Sequence, residues 1–375
     1  MKIAVHGSHL CQEREDGSQN YMINLFRNIA AIDQDNEYDF YYSKDSCKQV
    51  EGKQFNHITH KAPLAWTQRV FPSLLRRDKP DLLFMPIQML PFLKPFQQKS
   101  VVTIHDLAFL FYPKTFRAKD VILHRLYVRQ AITRADHLIA ITQATKDDIV
   151  NIYKVPEEKV SVVYHGIDHD RFRAPQEPDQ EAIQAVKEKY NITKPYLMYV
   201  GNVQPRKNVQ GLIRAFDAMK KEGRDDYQLV IAGANAWLVD EIMKDVGDVL
   251  SDDIIFTGRF ADEELPPLLW GATAFALPSF YEGFGLPILE AAACGTPVLV
   301  ADTPSMVEVG GEATVSFDPH DIFDIKRKVE MVLDDPELRE TMIEKGYARA
   351  KEFSWERCAK ETTTILNRIG HEAKK

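Results

Sequence analysis

Residues 277–302 read LPSFYEGFGLPILEAAACGTPVLVAD. Two carboxylates, Glu282 and Glu290, stand eight positions apart in a segment otherwise free of charge until its last residue. An ionised group in such surroundings needs a partner, or a ligand that supplies one. Between them Gly283, Phe284, Gly285 and Leu286 form a tight turn into an apolar helix with Pro287 in its first turn and Gly295 past its end. Glycines let backbone approach a ligand, and a helix start offers N–H groups to an anion. The same pattern also fits a helix-start turn beside a buried salt bridge. A second loop, GNVQPRKN (201–208), begins with Gly201 and Asn202 and carries Arg206 and Lys207 just before a helix. Cations at a helix start oppose its dipole, so an anion there would explain them. Guanidinium and ammonium together suit a diphosphate. A third feature, SVVTIHD, ends an apolar strand in His105-Asp106, and Gly17 lies in the loop after the first strand.

Strands and helices must bring these loops to useful places. KIAVHG, DLLFMP, SVVTIHD, HLIAIT and VSVVYHG read as strands, with amphipathic stretches between them at 18–32, 118–134 and 143–153. After a polar, proline-bearing stretch at 172–183 the alternation restarts with PYLMYVG, YQLVIAG, DIIFTG, AFALPS and TPVLVA. This is an α/β pattern of two Rossmann-like, doubly wound domains with a cleft between them. Ligands of such sheets bind beyond the carboxyl ends of the strands, where every loop named above falls.

Composition narrows the function classes. At 45% hydrophobic and 27% charged residues, the chain is an ordinary globular protein. Its 375 residues exceed what one core usually serves. Charges interrupt each apolar run before it could span a bilayer, and the N-terminus reads as a strand, not a signal peptide. Cys11, Cys47, Cys294 and Cys358 are widely spaced, which favours reduced thiols in the cytoplasm over a disulfide scaffold or zinc site. The net charge of −8 is uneven: residues 53–134 hold 14 Lys/Arg against four Asp/Glu. That region is a solvated face or one that meets an anionic partner, such as an acidic membrane.

Taken together, EGFGLPILEAAACGTPVLVAD, YVGNVQPRKN, IHDLAF and VVYHGIDHDRF resemble retaining GT-B glycosyltransferases of glycosyltransferase family 4, with their E-x7-E signature. The resemblance covers nearly the whole chain. It implies an N-terminal acceptor domain over 1–172, a nucleotide-sugar donor domain over 184–353, and a terminal helix, about 354–375, that crosses back to the first domain. It implies transfer of a hexose-type sugar from a nucleotide diphosphate sugar, with retention of configuration, to a glycan, lipid-linked or small-molecule acceptor in surface polysaccharide synthesis. Glu290 would hold the ribose hydroxyls. Glu282 and the backbone N–H groups of Phe284, Gly285 and Leu286 would hold the sugar and the nearby phosphate. Arg206 and Lys207 would stabilise the departing diphosphate, His105 would lie beside the donor sugar, and Gly17 would admit the phosphates. Many members have arginine where this chain has Asn202, and Arg206 is the residue that could supply the charge.

With those cations present, no metal is expected. The D-x-D patterns Asp168-His169-Asp170 and Asp33-Gln34-Asp35 are read as chance matches. No cofactor and no nucleic-acid partner is expected. Two other functions share the scaffold: a non-catalytic nucleotide-sugar-binding partner and a nucleotide-sugar epimerase. Cytoplasmic placement is expected, with peripheral contact at the inner membrane face. A candidate for that contact is 61–96, which mixes Trp66, Phe71, Leu74, Leu75, Met89 and Phe92 with Arg69, Arg76, Arg77 and Lys79, although core helix is the plainer reading of most of these residues.

Overall fold

The structure, a computed structural model, describes residues 1–11, 17–61, 65–234, 244 and 246–372. The chain divides into two compact units. The first comprises 1–111, 118–166 and the C-terminal segment from 354; the second comprises 112–117 and 167–353.

In the first unit β1 (Lys2–His6), β2 (Glu37–Tyr42), β3 (Phe55–Thr59), β4 (Leu82–Met85), β5 (Lys99–Ile104), β6 (His137–Ala140) and β7 (Val160–Val162) form a parallel sheet. Their spatial order is β3-β2-β1-β4-β5-β6-β7. Order reverses between β1 and β4, the switch point at which doubly wound sheets receive ligands. The helix Gly17–Ile32 lays Tyr21, Met22, Leu25, Phe26 and Ile29 into the core at helical spacing. The terminal helix Trp355–Glu372 adds Trp355, Cys358, Ala359, Leu366 and Ile369 to the same core. Asn36 and Asn367 tie its far end by a 2.9 Å hydrogen bond.

In the second unit β8 (Tyr196–Val200), β9 (Gln228–Ala232), β10 (Ile254–Gly258), β11 (Ala274–Leu277), β12 (Val298–Ala301) and β13 (Thr314–Phe317) form a parallel sheet ordered β10-β9-β8-β11-β12-β13. Here the switch point lies between β8 and β11. The loops that follow these two strands are GNVQPRKN and SFYEGFG.

The structure differs from the sequence reading in two places and agrees with its plainer alternative in a third. The chain enters the second unit at Ile167, ahead of the 172–183 stretch. Contacts explain the early entry: His169 Nε2 bonds the Phe353 carbonyl at 3.0 Å, and Arg171 donates to the Asp262 carbonyl. Cys11 and Cys47 are joined in a disulfide, where four reduced thiols were expected. They follow β1 and β2, which are neighbours in the sheet, so topology unites two cysteines that spacing keeps 36 residues apart. The reduced-thiol argument for compartment therefore lapses; Cys294 and Cys358 are free and buried. Finally, Trp66, Phe71, Leu74 and Leu75 are core residues, as the plainer reading of 61–96 held. Residues 62–64 of that stretch, and the last three of the chain, lie outside the described residues.

Candidate active site

The loop after β8 and the loop after β11 are joined through backbone and side chain. Phe280 N–H donates to the Arg206 carbonyl at 2.9 Å. The Arg206 guanidinium donates to the Tyr281 carbonyl and, at 3.1 Å, to Glu282 Oε2. Lys207 Nζ donates to Glu282 Oε1. One buried carboxylate thus holds both cations by different oxygens. Burial pushes the Glu282 carboxyl up, but Lys207 and Arg206 outweigh it and bring it down to about 2. Glu282 is ionised at any ordinary pH, and the cluster keeps one net positive charge.

Backbone geometry explains the tight turn that follows. Gly285 caps the helix Leu286–Ala293 at φ 88°, a left-handed conformation that favours glycine. An added Cβ there would meet Ile288 Cδ1 at 2.9 Å. Gly283, Phe284 and Leu286 flank it, and Ser305 Oγ donates to the Glu282 carbonyl. At the other loop, Gly201 N–H donates to the Ala232 carbonyl at 2.9 Å and Tyr199 Oη to the Asn202 carbonyl at 3.2 Å. Asn202 thereby sits at the carboxyl end of β8.

Glu290 has a different environment. Among the described residues its carboxyl enters no ion pair. Burial pushes it up to about 7; Arg171 pulls in the opposite direction and Asp262 adds to the rise. Arg171 and Asp262, with Glu263 and Pro266, line a cavity of about 390 Å³. That volume is in the range of small-molecule sites. None of these four was singled out from the sequence: Arg171 stands in the VVYHGIDHDRF motif without a role assigned to it, and no motif surrounds Asp262, Glu263 and Pro266.

His105 and Gly17 belong to the first unit. His105 Nε2 lies 2.8 Å from the Pro86 carbonyl, which can only accept, so Nε2 carries the proton. His105 N–H bonds Gln88 Oε1 at 3.2 Å. The imidazole meets Tyr21 edge-on at 5.0 Å; Tyr21 stacks on His165 at 4.8 Å, and His165 stacks on Trp355 at 5.6 Å. Burial, then the His105 charge, keep His165 well below the usual histidine range and therefore neutral. The backbone of Gly166 touches the start of the terminal helix so closely that a Cβ would lie 2.0 Å from Trp355 N. This ring column was not anticipated from the sequence. At Gly17, the first residue of its helix, a Cβ would meet nothing within 4 Å among the described residues.

The two D-x-D patterns have local roles. Asp168 Oδ1 accepts from the N–H groups of Asp170 and Arg171, both at 3.1 Å. Asp33 accepts from Asp35 and Asn36 N–H and from Tyr38 Oη. Both first carboxylates are therefore committed to turns. Among the described residues no group of three His, Cys, Asp or Glu side chains could hold a metal.

Comparison with known proteins gives a consistent picture. A family model described as glycosyl transferases group 1 matches residues 180–349, and one described as glycosyltransferase family 4 matches 16–171. The chain is 28% identical over 366 residues to an O-antigen chain mannosyltransferase B from Escherichia coli, covering 92% of this chain and 94% of that one. Among solved structures it resembles a sucrose-phosphate synthase from Thermosynechococcus elongatus, with a TM-score of 0.76, 18% identity and 98% of both chains covered. It also resembles Anabaena HepE in complex with UDP-glucose, with a TM-score of 0.75 and 16% identity, covering 98% of this chain and all of that one. The fold is accordingly GT-B.

Proposed function

The chain belongs to glycosyltransferase family 4, group 1, and from that premise we propose that it is a retaining, metal-independent hexosyltransferase of surface-polysaccharide synthesis. Its donor is a nucleotide diphosphate sugar, and its acceptor is a growing glycan, carried on a lipid or free. Mannose is the hexose favoured, because the full-length relative is an O-antigen chain mannosyltransferase. The single observation that carries the reading is the buried Glu282 carboxylate holding Arg206 and Lys207 at the switch point of the second sheet.

The chemistry follows from where charge develops. As the bond between anomeric carbon and phosphate breaks, negative charge collects on the diphosphate. Fixed cations and N–H groups at a helix start stabilise it without reorganising. Glu282 holds Arg206 and Lys207 in place before the donor arrives, and its own charge keeps the cluster from binding product too tightly. The backbone N–H groups of Phe284, Gly285 and Leu286 serve the phosphate and sugar. Gly201 and Asn202 shape the floor of the loop. Glu290 takes the ribose hydroxyls beside the cavity that Arg171 and Asp262 line. His105, with its proton fixed on Nε2, serves the donor sugar, and the open space at Gly17 admits phosphate. Retention proceeds by front-face attack, with the leaving phosphate taking the acceptor proton, so Glu282 is not assigned as a nucleophile.

A thermal-shift screen of nucleoside diphosphates and their hexose derivatives tests this reading. One base should raise Tm in proportion to ln(1 + [L]/Kd). Arg206→Ala and Lys207→Ala should abolish the shift while leaving the unliganded protein folded. Equal shifts in wild type and both variants would defeat the assignment, and acceptor-independent isomerisation of the sugar would favour an epimerase.

A further inference from the structure

Twelve large apolar side chains are exposed among the described residues, and six of them fall between 93 and 126. Three lie on one helix, Ala118–Arg134: Ile122 is 67% exposed, Leu126 52% and Leu123 43%. Ile122 and Leu126 are four residues apart, so they stand one above the other on the same face. The inward side of the helix is already satisfied by Val121, Val128, Ala131 and Ile132. Its apolar outer stripe is therefore surplus to the core.

Cations surround that stripe. Lys119, Arg125, Arg129 and Arg134 are exposed on the same helix, against Asp120 as its one acidic residue. Arg125 and Arg129 enter no ion pair among the described residues. The segment 91–97 extends the surface. It is held to the helix by Gln130 Nε2 to the Pro91 carbonyl at 3.2 Å, Arg134 to the Phe92 carbonyl at 2.9 Å, and a ring contact between Phe92 and Tyr127. This anchored segment presents Leu93, 61% exposed, and Phe96, 99% exposed.

We propose that the outer face of Ala118–Arg134, with Leu93 and Phe96 beside it, is a docking surface for an anionic lipid bilayer. The proposal deepens the reading of a lipid-carried acceptor and moves the contact from Trp66, Phe71, Leu74 and Leu75, which are core, to the end of the 61–96 stretch at Leu93 and Phe96 and to the helix beside it. An apolar stripe bordered by arginines matches the two layers of a membrane interface: side chains enter the acyl boundary while guanidinium groups stay with phosphate headgroups. The sign of the charge selects an acidic surface, where each basic residue contributes roughly fivefold to partitioning at low salt. A protein partner would more often offer acidic groups for the arginines within a shaped apolar groove. Here the stripe stands on the exposed side of a helix and its neighbouring segment, and Arg125 and Arg129 have no acidic partner among the described residues.

Flotation of the full chain with vesicles of phosphatidylglycerol and phosphatidylcholine tests the surface, with pure phosphatidylcholine as control. Wild type should float with the acidic vesicles at low salt, lose about tenfold or more in partitioning at high salt, and bind the neutral vesicles weakly. Ile122→Ser/Leu126→Ser and Arg125→Gln/Arg129→Gln should each lower partitioning by about tenfold or more. Both variants should keep the thermal shift given by the nucleotide sugar, which shows that they fold and separates this surface from the donor site. Wild type that stays with the soluble fraction at low salt overturns the proposal, as do variants that float unchanged. A dimer in sedimentation that Ile122→Ser/Leu126→Ser dissolves would assign the face to a second copy instead.

Discussion

Glu290→Gln should make the protein more stable and a poorer enzyme, and the gain should depend on pH. The Glu290 carboxyl is raised from an ordinary 4.5 to about 7, chiefly by burial. The folded state therefore holds a proton that the unfolded state has released between those values. Stability free of this penalty exists below pH 4.5, falls as pH rises from 4.5 to 7, and is flat above 7. At about 1.4 kcal/mol per pH unit, the penalty reaches roughly 3 kcal/mol, an upper bound because the side chain is only half-buried. Glutamine never ionises, so the variant should match wild type near pH 4.5 and exceed it at pH 8. For a unit of this size the Tm difference would be several degrees, at about 2–4 °C per kcal/mol. Thermal melts of both proteins at half-unit steps from pH 4.5 to 8.5 give the curve. Donor affinity, measured by titration at pH 8, should fall in the same variant if Glu290 takes the ribose hydroxyls as proposed, since an amide replaces the accepting carboxylate. A Tm difference that stays constant across the pH range would refute the raised, unpaired state of Glu290. An unchanged donor affinity would remove it from the site.

Glu282 gives the opposite sign. Its folded value of about 2 lies below the ordinary 4.5, so its contribution is present above pH 4.5 and is lost as pH falls toward 2. Glu282→Gln should cost roughly 3 kcal/mol at pH 7 in denaturant melts, and kcat should drop about 100-fold or more as Arg206 and Lys207 lose their anchor; normal turnover would count against the anchoring role. Gly17→Val should leave Tm unchanged, since a Cβ there meets nothing within 4 Å among the described residues, yet weaken donor binding, as a titration will show; full affinity would take the phosphates away from that helix start. Transfer rates in excess EDTA should equal those with magnesium, and a rate that vanishes on chelation and returns with metal would remove the case for cations alone. Tyr21→Leu should lower kcat more than it changes KM by loosening His105, whose edge it packs; equal kinetics would leave the ring column a purely structural feature.

Much of the site was legible because its chemistry is concentrated in two loops. The Glu282–Gly285 turn and the Arg206-Lys207 pair lie directly after strands, and a strand's carboxyl end is where a parallel sheet puts its ligands. What the sequence could not reveal is which groups face each other. The sequence pattern fits a buried salt bridge as well as a ligand site, and the sheet order shows which of the two glutamates is ion-paired. β8 and β11 are neighbours, so Glu282 meets Arg206 and Lys207 across 76 and 75 residues of sequence. Glu290 falls a turn into its helix, beyond their reach. The Cys11–Cys47 bond was hidden for the same reason. Some elements escaped notice because their composition runs against their burial. EYDFYY, which forms β2, carries Asp39 inside the unit, where Lys2 at 2.9 Å and Asn56 satisfy it. A buried, partnered aspartate reads as a surface residue until the partner is visible. The helix Ala118–Arg134 was found at its full length, but its excess of exposed leucine and isoleucine emerges only when its inward face is known.

The most direct test is to watch the sugar move. Purified protein should be incubated with the nucleotide hexose selected by thermal shift and an acceptor glycan, and the products followed by proton NMR at the anomeric carbon. The account predicts nucleoside diphosphate and glycosylated acceptor in equal amounts, the new linkage keeping the donor's anomeric configuration, and none of it with Arg206→Ala/Lys207→Ala. Inverted configuration, or unchanged transfer by that double variant, would contradict it.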